Sequence, residues 1–143
     1  AHVFVPGVRL VRVAFGPLKF GRTFCVALRF PELYRSFADE QGANTVIISS
    51  AWPFPRVDHL RVLATARAIE NQSYVVLANL VGTDDGVPFC GSSAVIAPYG
   101  VIVAGASADR VELLVAELSH EALAQVRARL TSFANRRHEL SRA

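Results

Sequence analysis

The chain is 143 residues long, 52% hydrophobic and only 19% charged, with a formal net charge of +3 and a pI near 9.3. That length suits a single domain with a sizeable core, and charges recur too often to leave the run of about 18 apolar residues that a membrane helix needs. The positive balance comes from scattered arginines, with Lys19 the single lysine, and not from a basic face interleaved with aromatics, so nucleic acid is not an expected partner.

Val8 to Phe15 reads as a strand and Gly16-Pro17 as a turn. Phe20 to Leu28 is a second strand, carrying Cys25, and Pro31 to about Gln41 a helix closed by Gly42. Thr45 to Ser49, β-branched in its first four residues, predicts a short buried strand. Arg56 to Glu70 predicts a helix, because Val57, Leu60, Ala64 and Ala68 recur on one face. Ser73 to Leu80 is the next strand. Asp84-Asp85-Gly86 and Ala97-Pro98-Tyr99-Gly100 are turn chemistry. Ser93 to Ala97, Val101 to Ala104 and Val111 to Leu118 read as strands. Ser119 caps a last helix to about Leu130, with Glu121 in its first turn. Arg127, Arg129, Arg136, Arg137 and Arg142 thicken the end of the chain and read as a solvated helix end. The alternation of strands and helices without linker or repeat predicts an α/β layered domain with helices on one sheet face. The high apolar content is that of a piece whose other sheet face awaits a cover.

Chemistry concentrates at Cys25. A thiol between an apolar strand and Arg29-Phe30-Pro31-Glu32 meets free backbone N–H groups and the positive end of a helix, which favour the thiolate. By spacing alone Cys25 reads either as a reactive thiol or as a small buried hydrophobe, the commoner fate of a lone cysteine. Cys90, in a turn before a strand, reads as structural. His2, His59, His120 and His138 are dispersed without a cysteine pair, so no metal site is expected. Gly91-Ser92-Ser93 lacks the flanks of a serine elbow, and no glycine-rich loop cradles phosphate, so no cofactor is expected. Two cysteines without a signal-peptide pattern predict free thiols in a reducing, cytoplasmic setting. Asn71-Gln72-Ser73 then matches a glycosylation sequon by chance.

Five ordered motifs carry a resemblance. Cys25-Val26-Ala27-Leu28-Arg29-Phe30-Pro31-Glu32-Leu33-Tyr34-Arg35 comes first, followed by Ser49-Ser50-Ala51-Trp52-Pro53 and Ala66-Arg67-Ala68-Ile69-Glu70-Asn71-Gln72-Ser73-Tyr74-Val75-Val76. Asn79-Leu80-Val81-Gly82-Thr83-Asp84 and Gly91-Ser92-Ser93-Ala94-Val95-Ile96-Ala97-Pro98-Tyr99-Gly100 complete the series. Together they resemble the nitrilase, or carbon–nitrogen hydrolase, superfamily from about Phe4 to about Arg137.

The resemblance implies an α-β-β-α sandwich, of which residues 1–143 form the C-terminal portion of a single domain lacking its N-terminal half. It implies a cysteine nucleophile at Cys25, an oxyanion donor in the backbone N–H of Val26, and a pocket walled by Trp52 and Pro53. Arg29 and Glu32 are expected to hold the nucleophile turn through hydrogen bonds or ion pairing, and Glu70 and Asn71 to support the fold. The family's catalytic glutamates and lysine have no counterpart here, since Phe4-Val5-Pro6-Gly7 resembles a segment after the lysine; the 143 residues alone are expected to lack activity. Val26-Ala27 also replaces the family's frequent Tyr-Asp. Trp-Pro with Arg-Ala-Ile-Glu-Asn-Gln looks most like the ω-amidase branch, which hydrolyses small carboxamides such as 2-oxoglutaramate. An N-carbamoyl amino acid or aliphatic amidase is the second reading, and an inactive remnant or interaction module the third. The family's helix packing implies a homodimer or larger even oligomer, with Tyr34 near the interface.

Overall fold

The computed structural model describes residues 9–133 and 135–137. The Phe4-Val5-Pro6-Gly7 segment, His2, His138 and Arg142 lie outside the described residues. A six-stranded sheet runs in the order β1-β2-β3-β4-β7-β8, formed by Arg12–Phe15, Leu18–Phe24, Thr45–Ser50, Tyr74–Asn79, Ala94–Ile96 and Ile102–Gly105. A separate antiparallel hairpin consists of β5, Val81–Asp84, and β6, Val87–Cys90. The helices are α1, Pro31–Asp39, α2, Val57–Asn71, and α3, His120–Arg129.

Strands β2, β3 and β4 are parallel, and α1 and α2 are the crossovers that parallel pairing demands. Register puts Val46 beside Val75 and Ile48 beside Leu77, so these four side chains share one sheet face. There they join Tyr34 of α1 and Leu60, Ala64 and Ala68 of α2 in one buried cluster. The alternate residues face the other way, where Ile47 and Val76 are half-buried and Phe24 and Ala78 exposed. Helices on one face and apolar side chains on the other are the α/β arrangement expected from the element order.

The boundaries differ from expectation where tertiary geometry intervenes. The second strand ends at Phe24, not Leu28; Cys25–Arg29 is a 3-10 turn, entered with Cys25 at φ +34°. Asp85 and Gly86, at φ +45° and +74°, close β5 on β6 through a two-residue loop, a hairpin of which the sequence reading recognised only the turn. Val111 to Leu118 is not a strand, and Val111, Leu113 and Val115 stand 92%, 90% and 85% exposed. Its alternating pattern suits a sheet, but a strand requires a partner to take its backbone hydrogen bonds, and none of the described strands lies beside it.

Two groups of side chains are more enclosed than local pattern suggests. Tyr34 and Phe37 are 1% and 0% exposed and face the core of this chain. The Tyr34 hydroxyl pairs with that of Thr23 at 2.8 Å, and Phe37 packs so closely on Gly21 that a Cβ there would meet its ring at 2.7 Å. Burial of Phe37 explains why β2 carries a glycine opposite it. The arginine-rich end is not simply solvated either: Arg127 and Arg136, with Arg35 from α1, surround the Phe133 ring with guanidinium carbons 5.8, 4.9 and 5.3 Å from its centre. Ser119 does cap α3, its hydroxyl accepting the N–H of Ala122 at 3.1 Å. Asn71, in the sequon, is 1% exposed and donates to the carbonyl of Arg67, which leaves it inaccessible to a modifying enzyme.

Candidate active site

Parallel strands deliver their carboxyl ends to one edge, which is where open α/β sheets build their clefts. Here β2 delivers Cys25, β3 delivers Ala51-Trp52-Pro53, and β4 delivers Asn79. Cys25, Val26, Arg29, Trp52, Pro53 and Arg56 line a cavity of about 160 Å³ at this edge. The four residues expected from sequence to do chemistry or wall the pocket therefore share one cavity.

The thiol is half-buried, with Sγ 3.9 Å from the carbonyl oxygen of Ala51. It opens the 3-10 turn, six residues before α1, so the groups beside it are the unbonded N–H groups of that turn and not the end of the longer helix. Trp52 is 3% exposed and doubly tethered. Its indole N–H donates to the carbonyl of Arg56 at 2.8 Å, and its backbone N–H donates to Oδ1 of Asn79 at 2.8 Å. Asn79 is itself held, donating through Nδ2 to Gly91 and through its backbone N–H to the Ser93 hydroxyl. Pro53 bridges to Phe89, which draws the β5–β6 hairpin against the cavity wall.

Arg29 behaves differently from expectation. Its guanidinium lies 4.7 Å over the Trp52 ring and Nη2 is 3.5 Å from Nδ1 of His59, so it braces the pocket wall. Glu32 is exposed in the first turn of α1 and, among the described residues, forms no ion pair or side-chain hydrogen bond.

The group that holds the nucleophile turn is Arg67, which the sequence reading did not single out. Its Nε and Nη2 donate to the Leu28 carbonyl at 3.1 and 2.9 Å, and Nη1 meets Glu70 at 2.8 Å. The guanidinium is 5% exposed and lies 5.4 Å from the Tyr34 ring centre. The signal was a charged residue on the apolar face of an amphipathic helix, where burial requires a dedicated partner. Arg56 was missed as well; it sits one turn after Trp52 and lines the cavity.

Cys90 is the contrasting thiol. It is 3% exposed and donates to the Trp52 carbonyl at 3.2 Å. Burial pushes its thiol up, opposed in part by the hydrogen bond from Asn79, so the thiolate is disfavoured. Among the described residues no group of three His, Cys, Asp or Glu side chains could hold a metal ion, and no helix is long and apolar enough to cross a membrane.

Residues 2–128 match the family model for carbon-nitrogen hydrolases. The chain is 38% identical over 124 residues to the 2-oxoglutaramate amidase of Bacillus subtilis (strain 168), covering 86% of this chain and 47% of that protein. It is 45% identical over 104 residues to the omega-amidase YafV of Escherichia coli (strain K12), covering 72% of this chain and 40% of that protein. Among solved structures, an amidase variant from Nesterenkonia sp. AN1 superposes with a TM-score of 0.80 at 29% identity, over 97% of this chain and 49% of that one. That crystal structure carries the acetamide moiety of fluoroacetamide added covalently at the active-site cysteine. The chain thus spans a little under half the length of these relatives.

Proposed function

Since the chain belongs to the carbon–nitrogen hydrolase family, we propose that it supplies the nucleophile and one pocket wall of an ω-amidase, an enzyme releasing ammonia from a small carboxamide such as 2-oxoglutaramate. The observation that carries this reading is the single cavity shared by Cys25, Val26, Trp52 and Pro53. Cys25 Sγ attacks the amide carbonyl carbon, and the backbone N–H of Val26 donates to the oxygen as it gains charge. In support, Val26 lies in the first turn of the 3-10 helix, whose N–H groups have no acceptor within it. Collapse of the tetrahedral adduct breaks the C–N bond. The nitrogen leaves as ammonia after taking a proton, and water then hydrolyses the thioester to a carboxylate and the free thiol. Trp52 and Pro53 bound the substrate, with Arg29 bracing the indole. The base that serves water and the further oxyanion donor are not among the residues lining this cavity.

The substrate assignment leans on the relatives, two of which are a 2-oxoglutaramate amidase and an omega-amidase. It is tested by ammonia release from the complete enzyme with 2-oxoglutaramate, an N-carbamoyl amino acid and an aliphatic amide. We expect kcat/KM for 2-oxoglutaramate to lead by at least about tenfold, a difference of some 1.4 kcal/mol in transition-state binding. A preference for either rival reassigns the substrate.

Even-numbered self-association belongs to the same proposal, and the exposed side chains of α2 support it. Val62 and Ile69, seven residues apart on α2, are 66% and 50% exposed and share one outward face. Burying such a stripe on its symmetry mate suits a two-fold contact. Val62→Glu combined with Ile69→Glu is expected to halve the mass seen by light scattering; an unchanged mass removes α2 from the interface.

A further inference from the structure

At the opposite edge of the sheet lies a second cavity that the amidase reading does not use. Its volume is about 350 Å³, and Asp39, Gln72, Arg127, Leu130, Thr131 and Phe133 are among the residues lining it. Gln72 precedes β4 whereas Asn79 ends it, so six residues of strand separate this cavity from the thiol edge, about 20 Å at the usual rise.

Positive charge gathers beside this cavity. Three guanidiniums, from Arg35, Arg127 and Arg136, converge on one Phe133 ring. Asp39 pairs with Arg136, and Glu70 pairs with Arg67. Arg35 and Arg127 have backbone carbonyls instead. Nη1 of Arg35 donates to the carbonyl of Glu70 at 2.6 Å, and Nε of Arg127 to that of Gln72 at 3.2 Å. Nη2 of Arg127 is buried and, among the described residues, has no acceptor. The Gln72 side-chain amide donates through Nε2 to the carbonyl of Leu130 at 2.6 Å. Burial lowers the pKa of Arg127 and, more than the opposing carboxylates raise it, that of Arg35. A guanidinium without a counter-charge is costly in such a place, and native structures rarely leave one so.

We propose that this cavity is a binding site for a small organic carboxylate, whose charged end pairs with the Arg127 guanidinium while its apolar body lies against Leu130 and Phe133. The fork geometry of guanidinium suits a carboxylate, and charge-assisted bonds of this kind are about twice as strong as neutral ones. Apolar walls favour an acid with a hydrocarbon body over a bare inorganic anion, which exposes no apolar surface to bury. Gln72, at φ +46°, joins α2 to β4 and is 2% exposed, so a ligand here braces the connection that places the far end of β4. The site is distinct from the Cys25 cavity in position and in lining, and its existence does not depend on the amidase reading.

Calorimetric titration of the complete enzyme carrying Cys25→Ala, with butyrate, glutarate and inorganic phosphate in turn, tests this. A carboxylate is expected to bind in the submillimolar range, and to raise Tm by about 5 °C at a hundred times its Kd. Arg127→Gln is expected to weaken that binding at least about tenfold, and Arg127→Lys to weaken it less, because it keeps the charge but loses the fork. Arg29→Gln, at the other cavity, is expected to leave it unchanged. Should Arg127→Gln fail to fold, Arg127→Lys and the ligand's position in a soaked crystal decide the matter. Binding by phosphate alone, equal affinity in the Arg127 variants, or loss on Arg29→Gln overturns the proposal.

Discussion

Cys25→Ala in the complete enzyme is expected to cut amidase turnover by at least about four orders of magnitude, the scale on which nucleophile deletions act. The thiol is half-buried at the mouth of a cavity it shares with Trp52 and Pro53, whereas Cys90 is 3% exposed and engaged with Trp52 and Asn79. Iodoacetamide should therefore alkylate Cys25 first and abolish activity in step with the adduct. Burial raises the pKa of Cys90, so its thiolate is scarce and its labelling should need unfolding. A substrate present in excess should slow the labelling of Cys25 and leave that of Cys90 unaffected. Inactivation that tracks modification of Cys90 while Cys25 stays free refutes the assignment, as does an alanine variant that keeps its turnover.

Arg67→Ala is expected to be the most destabilising single change, by about 3–5 kcal/mol, the usual consequence of removing one partner from a buried charged contact. The loss has three parts. The Leu28 carbonyl gives up two donors, Glu70 loses its ion-pair partner, and the Tyr34 ring loses the cation above it. In a complete enzyme of its relatives' length, about twice that of this chain, this corresponds to a fall in Tm of roughly 5–10 °C. Activity should fall further than stability explains, because Leu28 is three residues from Cys25 on the same 3-10 turn. Arg67→Lys should lie between, since an ammonium can reach Leu28 or Glu70 but cannot hold both in a planar fork. A Tm within about 2 °C of the parent, measured by calorimetry, shows that the turn is held by something else.

Much of this was legible in the residues themselves. Hydrophobic periodicity located α2, β3 and β4 within a residue or two, because both period and burial are written into the chain wherever an element has one apolar face. Pro31 and Ser119 marked the starts of α1 and α3, since first-turn chemistry is local. Five ordered motifs carried the family, and the positions of Cys25, Val26, Trp52 and Pro53 around one cavity followed from it.

What the residues alone did not decide is what depends on partners distant in sequence. The strand carrying Cys25 stops at Phe24 because the chain must turn under the Leu28–Arg67 clamp, a contact between residues 39 positions apart. Tyr34 reads as a surface aromatic until Thr23, Arg67 and the sheet enclose it. Arg127 and Arg136 look like a solvated tail until Phe133 folds them against α1. Val111 to Leu118 has the alternation of a strand and, among the described strands, no partner. Local pattern determined most of where this chain is helical or extended, and the family resemblance which thiol faces a pocket. Only the tertiary structure decided which charges are buried and what they hold, because burial and hydrogen bonding over long separations are properties of the assembled fold.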